Sequence, residues 1–159
     1  MSSFDRETLR QRYQFQCGYC GTSEVDVGAE MEMDHFQPRS QGGSNAPSNL
    51  VYCCPACNRF KGNHWNPSSP LRVLHPQRDK AAEHFGEDED GLLISLTETG
   101  RFHIERLQLN RPQFVAQRRR RKREAAAKRT YAALLSRFTH LERELAEALT
   151  ELERLQDPF

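Results

Sequence analysis

EMDHFQPRSQGG (residues 32–43) and NLVYCCPACNRFKGN (residues 49–63) are the stretches that decide the fold of this chain. The second stretch contains a Cys-x-x-Cys pair, and another Cys-x-x-Cys pair lies upstream of the first stretch. Two such pairs are typical of one tetrahedral zinc site that is built from four thiolates. The sequence therefore predicts a structural Zn²⁺ held by Cys17, Cys20, Cys54 and Cys57.

The composition also favours a small domain that depends on a metal. The chain has 159 residues, 36% of them hydrophobic, and a mean hydropathy of −0.82. This is enough for one modest domain plus an extension, with a limited apolar core that a structural zinc would support. The chain has five cysteines, and Cys53 is the spare one because it does not have the two-residue spacing to Cys57.

Nothing in the sequence suggests a membrane or a secretory route. No apolar run approaches the ~18 residues that a spanning helix needs, and the first residues lack the apolar region of a signal peptide. We therefore expect a cytoplasmic protein in a reducing compartment, where cysteines bind metals more often than they form disulfides.

The net charge of +1 conceals two oppositely charged parts. Residues 1–110 carry 11 Lys and Arg against 15 Asp and Glu, whereas residues 111–159 carry 12 against 7. A block of six consecutive cations covers residues 118–123, and such blocks are typical of contact with nucleic acid, although a solvated helix face is the alternative. The block consists of Arg118, Arg119, Arg120, Arg121, Lys122 and Arg123.

The order of elements predicts an α+β fold. A short helix is expected over residues 4–16, a strand over 29–33 that leads into Asp34-His35, a loop over 38–48 and a second strand over 50–53. A helix should follow from Pro55, which suits a first turn, to Gly62-Asn63, which suits a helix end. The result is a small zinc-stapled ββα unit over residues 1–66.

The rest of the chain divides into a wrapping segment and a long helix. Residues 67–110 should wrap the domain as irregular chain, with a strand over 91–96 and, in preference to a strand, a helix over 97–109. Residues 111–159 should form one helix, with Pro112 in its first turn and Asn110 as a cap. Its far half repeats apolar residues with the 4-3 spacing of a coiled-coil seam. Because a helix this long outreaches the small domain, a homodimer or a partner protein is favoured over packing back on that domain. This apolar series is Leu134, Phe138, Leu141, Leu145, Ala148, Leu152 and Leu155.

Several side chains of the central stretch suit hydrolysis of a phosphodiester. His35 can act as general base near neutral pH, and Asn49 can orient it by a hydrogen bond. Asp34 and Asn58 offer two hard oxygen ligands, a set that favours Mg²⁺ or Mn²⁺ as the catalytic cation. The predicted phosphate contacts are Arg39, Arg59 and Lys61, in addition to the basic block.

These residues carry a family resemblance. The Asp34-His35 pair, the Pro-x-x-x-Gly-Gly loop, Asn49, the second Cys pair and the Asn-x-x-Lys that starts at Asn58 resemble the HNH endonucleases of the ββα-metal class (His-Me fingers), including bacterial and phage standalone types. The resemblance covers roughly residues 15–65. It implies a DNA endonuclease with His35 as general base, Asp34 and Asn58 as cation ligands, Asn49 as the orienting residue, four zinc cysteines, and 5′-phosphate and 3′-hydroxyl ends. The last letter of the name HNH stands for a histidine, and at that position of the motif this chain has Asn58.

Two other functions fit the same residues. The chain can be a non-catalytic zinc-ribbon module that binds DNA through a vestigial site. It can also be the interaction subunit of a nuclease complex, with the long helix as its contact.

Overall fold

The computed structural model of the protein describes residues 5–156, and it begins with the short helix α1, Arg6–Arg12. The helix ends earlier than residue 16 because Gln14 and Phe15 have φ angles of 52° and 61°, in the left-handed region that stops a helix. Leu9 is completely buried and anchors α1 on the core. Phe4, which the sequence assigned to this helix, lies outside the described residues.

A second helix, α2, covers Glu24–Val27 and was not expected from the sequence. The Ser23 side chain caps it by accepting a hydrogen bond from the Asp26 N–H, and Gly28 ends it in a left-handed conformation. Four residues show too little periodicity to predict a helix, so only the cap residues could have indicated this turn.

The central element is an antiparallel hairpin of β1, Glu32–His35, and β2, Leu50–Cys53. Its register pairs Glu32 with Cys53 and His35 with Leu50. The second strand agrees with its predicted bounds, but the first starts three residues later than expected and includes Asp34-His35. It starts at Glu32 because Glu32 pairs with the last residue of β2, beyond which the chain turns into a helix.

That helix, α3, covers Pro55–Lys61 and confirms the expected ββα order. Pro55 occupies the first turn, and Gly62, with φ 54°, forms the C-cap, as the sequence indicated. The wrapping segment contains a second hairpin of β3, Phe85–Glu87, and β4, Leu93–Ser95, followed by α4, Glu98–Arg106. The sequence predicted β4 and α4 but missed β3, a three-residue strand with a glycine at its centre.

The last helix, α5, covers Pro112–Gln156, 45 residues, and confirms the predicted long C-terminal helix. The chain divides into two compact units, residues 1–117 and 118–159, and α5 passes from one into the other. Within the first unit, Phe114 and Val115 are buried, and the Gln117 side chain accepts a hydrogen bond from the Thr22 hydroxyl at 2.9 Å. Among the described residues, no helix is both long and apolar enough to cross a bilayer.

The apolar core of the first unit forms between the central hairpin, α1 and the end of α4. Val51 and Tyr52 of β2 contact this core together with Leu107 and Leu109, all four at most 1% exposed. Trp65 packs on the same core and meets Phe36 edge to face, 5.5 Å between ring centroids. The core therefore fixes the hairpin whose first strand, β1, carries Asp34 and His35.

Candidate active site and four-cysteine cluster

The two Cys-x-x-Cys pairs meet in one cluster, as their spacing predicted. The Sγ atoms of Cys17, Cys20, Cys54 and Cys57 all lie within 4.8 Å of one another, and those of Cys20 and Cys54 are 4.0 Å apart. Four sulfurs around a tetrahedral Zn²⁺ at 2.3 Å are separated by about 3.8 Å, so the cluster has the dimensions of a zinc site.

The chemistry of the cluster also fits zinc, because four cysteine sulfurs are a donor set that Zn²⁺ binds in structural sites. The Cys57 N–H donates a hydrogen bond to the Cys54 sulfur at 3.4 Å, which holds the second pair at the start of α3. Backbone hydrogen bonds hold the first pair in place, from Cys17 N–H to Thr22 and from Gly18 N–H to Tyr52 of β2. The cysteine cluster thereby links the N-terminal turn to the hairpin and α3.

Cys53 stays outside the cluster, in agreement with its assignment as the spare cysteine. Its side chain is completely buried, and its Sγ lies 3.8 Å from the Glu32 carbonyl oxygen. Burial raises the pKa of the Cys53 thiol well above its ordinary value, so it remains protonated and unreactive.

Asp34 points into the protein because side chains alternate along β1. Its Oδ2 lies 2.9 Å from the Lys61 ammonium and accepts a hydrogen bond from the Tyr19 hydroxyl at 2.5 Å. Burial is the main cause that raises the pKa of Tyr19 far above its usual value, and the Asp34 charge adds to it. Tyr19 therefore remains a hydrogen-bond donor that fixes one carboxylate oxygen of Asp34.

The burial of Lys61 contradicts the prediction that this residue contacts phosphate. The side chain is 1% exposed, and its ammonium donates hydrogen bonds to the carbonyl oxygens of His35 and Gly62 in addition to its ion pair with Asp34. Because the Lys61 ammonium is enclosed by these partners, it cannot contact the phosphate of a nucleic acid outside the protein. Its position inside the protein instead ties the end of α3 to the end of β1.

His35 lies on the opposite face of β1 and is partly exposed. Its Nε2 is 2.7 Å from Oδ1 of Asn45, in the loop between the strands. Because an amide oxygen only accepts hydrogen bonds, Nε2 carries the proton, and in the neutral ring Nδ1 keeps its lone pair. Asn45 was not predicted from the sequence, in which only its position in the loop beside the Gly-Gly pair gave any signal.

Asn49 holds the loop that follows His35. Its Oδ1 accepts from the Gln37 N–H at 2.8 Å, and its Nδ2 donates to the carbonyl oxygens of Gln37 and Ser44. Gly43 lies so close to this turn that a Cβ there would be 1.8 Å from the Gln37 oxygen. The amide of Asn49 thus orders the backbone beside His35, while the imidazole itself is bonded to Asn45.

Asn58 lies on α3 and faces β1. Its Nδ2 donates a hydrogen bond to Oε2 of Glu32 at 2.6 Å. With Nδ2 engaged, its Oδ1 is the atom that remains for a cation.

The other expected phosphate contacts differ in their accessibility. Arg39 and Arg59 are exposed, and within the basic block so are Arg119, Arg120, Arg121 and Arg123, with Lys122 partly exposed. Arg118 is only 7% exposed, which corrects its assignment as a phosphate contact.

Three titratable residues of the wrapping segment, Asp79, His75 and His84, make structural contacts. Asp79 forms a two-bonded ion pair with Arg72, at 2.6 and 2.8 Å, and His75 Nε2 lies 3.1 Å from the Ser48 carbonyl oxygen. His84 Nδ1 is 2.8 Å from the Thr97 hydroxyl. These contacts connect the wrapping segment internally and to the loop before β2.

Comparison with known proteins agrees with this geometry. Residues 17–64 match the family model described as HNH endonuclease. This stretch is an HNH endonuclease domain with a four-cysteine cluster, the class that its motif and its ββα order had indicated.

A curated protein with a similar stretch is the CRISPR-associated endonuclease Cas9 of Corynebacterium diphtheriae, 46% identical over 54 residues. The aligned residues make up 33% of this chain and 5% of that protein, so the chain spans only a small part of its relative. No solved structure matches the chain significantly.

Proposed function

We propose that the protein is a metal-dependent DNA endonuclease that hydrolyses phosphodiester bonds. The observation that carries the proposal is the pairing of His35 with Asn45 at 2.7 Å beside the inward-facing Asp34, within the stretch that matches the HNH family. A partly exposed imidazole with one nitrogen oriented is the arrangement that a general base requires.

In this proposal Nδ1 of His35 takes the proton from the attacking water. The hydrogen bond from Nε2 to Asn45 fixes the tautomer and stabilises the imidazolium that forms. The carbonyl oxygen of His35 accepts a hydrogen bond from Lys61, so the strand end that carries the base is held from inside the domain.

Asp34 and Asn58 would hold the catalytic cation, and their free oxygens fit that role. In the described part of the chain, Oδ1 of Asp34 and Oδ1 of Asn58 have no hydrogen-bond partner, whereas the other polar atom of each side chain is engaged. Mg²⁺ or Mn²⁺ at this position would offset the negative charge that develops on the phosphate.

The four-cysteine cluster would hold a structural Zn²⁺. Its part is to fix the first Cys pair and the start of α3 against the hairpin, because a unit with so small an apolar core gains much of its stability from a metal. A reducing cytoplasm would keep these thiols free for zinc.

Arg39 and Arg59 are proposed to contact the DNA backbone near the site, together with the exposed part of the basic block. Such contacts are sequence-independent and make binding depend strongly on salt concentration. They imply affinity for the backbone without a particular recognition sequence.

The test is plasmid cleavage by the full chain, His35→Ala and the control His140→Ala, with Mg²⁺, Mn²⁺ or EDTA. His140 is exposed and belongs to the second unit, so its removal changes one histidine without touching the proposed base. We expect cleavage that needs added metal and falls at least about 100-fold in His35→Ala alone. Zinc content is measured in every sample, since EDTA can also remove the structural metal.

One observation favours a second candidate, a non-catalytic DNA-binding module. The carboxylate that should hold the cation is already paired with the Lys61 ammonium. Absence of cleavage with either metal, while zinc and DNA binding are retained, would support this module and contradict the nuclease. Equal cleavage by wild type and His35→Ala would reject His35 as the base.

A further inference from the structure

Helix α5 exposes a long apolar stripe in the unit that follows residue 117. Its nine large apolar side chains are each 49% to 70% exposed, although such side chains are usually buried in a folded protein. A continuous apolar face of this kind marks an interaction surface. The stripe consists of Tyr131, Leu134, Leu135, Phe138, Leu141, Leu145, Leu149, Leu152 and Leu155.

The stripe follows a heptad repeat from residue 131 to residue 155. Tyr131, Phe138, Leu145 and Leu152 occupy one core position, a, and Leu134, Leu141, Ala148 and Leu155 the other, d. Leu135 and Leu149 lie directly beside the second position and widen the apolar face on one side. This width exceeds that of a strict two-position coiled-coil face.

We propose that this stripe binds the same stripe of a second copy of the chain, with the two helices antiparallel. In an antiparallel pair, position a of one helix meets position d of the other. The register that uses every core residue places Tyr131 opposite Leu155 of the second copy and Leu134 opposite Leu152. It continues with Phe138 opposite Ala148 and Leu141 opposite Leu145. The inference concerns residues 131–155 and does not depend on the proposed nuclease activity.

Side-chain sizes favour this register. Phe138, one of the two aromatic core residues of the repeat, meets Ala148, the smallest core residue, so each such layer combines a large with a small side chain. The flanking residues agree, because Leu135 of one copy lies beside Leu149 of the other, and both bury apolar surface.

A parallel pair of the same helices packs less well. It would place Phe138 against Phe138 and Ala148 against Ala148, which gives one overfilled layer and one underfilled layer. It would also place Leu149 beside Glu144 of the second copy, an apolar residue against a charge.

Charges on the flank of the stripe favour the antiparallel register as well. Arg137 of each copy lies beside Glu151 of the other, which gives two attractive pairs related by the two-fold axis. Within the described part of the chain, Arg137 has no ion-pair partner of its own. Glu151 pairs with Arg154 of the same helix at 3.5 Å, an exposed pair that contributes little and leaves the carboxylate accessible to a second cation. Glu142 lies beside Glu142 of the second copy, and Glu144 lies beside Glu144 of the second copy. These exposed like charges repel weakly because solvent screens them.

The length of the stripe is sufficient for a stable interface. The 25 residues from 131 to 155 extend about 36 Å along the helix and cover about three and a half heptads, the length over which a heptad pattern indicates a coiled coil. The apolar residues of both copies become buried together, which is the main favourable contribution to association.

The test is sedimentation equilibrium of the full chain with charge reversals at the paired positions. Arg137→Glu and Glu151→Arg should each raise the dimer dissociation constant about tenfold, because each replaces two attractive pairs by two repulsive ones. The double variant Arg137→Glu/Glu151→Arg should return to within about twofold of wild type, since it restores both pairs with inverted signs. The control Arg143→Glu makes the same charge change on the outer side of the helix and should have little effect.

Each result decides for or against the register. A dimer that is weakened by both single reversals and restored by the double reversal supports it. A dimer that is weakened by Arg137→Glu but not by Glu151→Arg, with no restoration, identifies a parallel pair in which Arg137 meets Glu142 of the second copy. A monomer at every concentration, or an assembly larger than a dimer, overturns the proposal.

Discussion

The ammonium of Lys61 lies 2.9 Å from the carboxylate of Asp34, and the two side chains are 1% and 10% exposed. The ion pair joins the last residue of α3 to the middle of β1, so it connects the two elements that carry the candidate cation ligands. A buried pair of this kind has a high desolvation cost, and removal of one partner leaves the other charge uncompensated.

We expect Lys61→Met to reduce the free energy of unfolding by about 3–5 kcal/mol, because Asp34 is then buried without a counter-charge. The variant also loses two hydrogen bonds to carbonyl oxygens. Urea denaturation with zinc present measures the change. Arg59→Met, on the exposed face of the same helix, is the matched control and should stay within about 0.5 kcal/mol of wild type.

The double variant Asp34→Asn/Lys61→Met should recover part of the loss, because it removes both charges together. Equal stability of Lys61→Met and Arg59→Met would show that the Asp34 charge is well solvated and would refute this account.

Asn45→Ala should lower the cleavage rate at least about tenfold, since a general base whose tautomer is no longer fixed loses part of its ~10²–10⁴-fold contribution. Asn45→Asp should retain more activity, because a carboxylate accepts the same proton from Nε2 of His35. Single-turnover cleavage of a labelled duplex measures the rates. Asn66→Ala, at another exposed asparagine, is the control, and the same loss there would argue against a specific role for Asn45.

Cys54→Ala should abolish stoichiometric zinc binding, whereas Cys53→Ala should leave it at about one ion per chain. The two cysteines are adjacent and both buried, but only Cys54 belongs to the cluster. Loss of the structural metal should remove much of the stability of the small domain. Elemental analysis and thermal unfolding of both variants measure the effect, and retention of zinc in Cys54→Ala would contradict the assigned ligand set.

The stability of the first unit should decrease between about pH 6.5 and pH 4 because of His103. Burial lowers the pKa of His103 from 6.5 to about 4, and its Nδ1 accepts a hydrogen bond from the Leu74 N–H. In this range the unfolded chain binds a proton that the folded chain does not, so the free energy of unfolding falls with decreasing pH. The full loss from this group is about 3 kcal/mol below pH 4.

His103→Asn keeps an acceptor for the Leu74 N–H but does not titrate in this range. Its urea midpoint should therefore depend less on pH between 6.5 and 4 than that of wild type. His75 contributes in the same direction, since burial also lowers its pKa, so a residual slope should remain. Identical slopes in wild type and His103→Asn would contradict the assignment to His103.

The features of this protein that depend on local residue spacing were predicted well from the sequence. The Cys-x-x-Cys pairs, the strand over residues 50–53 and the Pro55-to-Gly62 helix each depend on neighbours within a few residues, and the structure has all three. The long helix was equally clear, because the 44 residues that follow Pro112 in α5 contain no Pro or Gly and leave little alternative.

Features that depend on distant parts of the chain were not predictable in the same way. Lys61 is separated from Asp34 by 27 positions, and a lysine in a helix is ordinarily solvated, so its sequence suggested phosphate contact. Tyr19 and Asn45 acquire their roles only when the cysteine cluster and the hairpin bring them to Asp34 and His35.

The sequence by itself determined the four cysteines of the cluster, the ββα order and the residues His35, Asp34 and Asn58 as candidates, because these are fixed by local spacing and residue chemistry. The tertiary structure alone decided which face each side chain occupies and which partner it has. Burial and hydrogen bonding are properties of the packed chain, and they turned one expected phosphate contact, Lys61, into the internal counter-charge of Asp34.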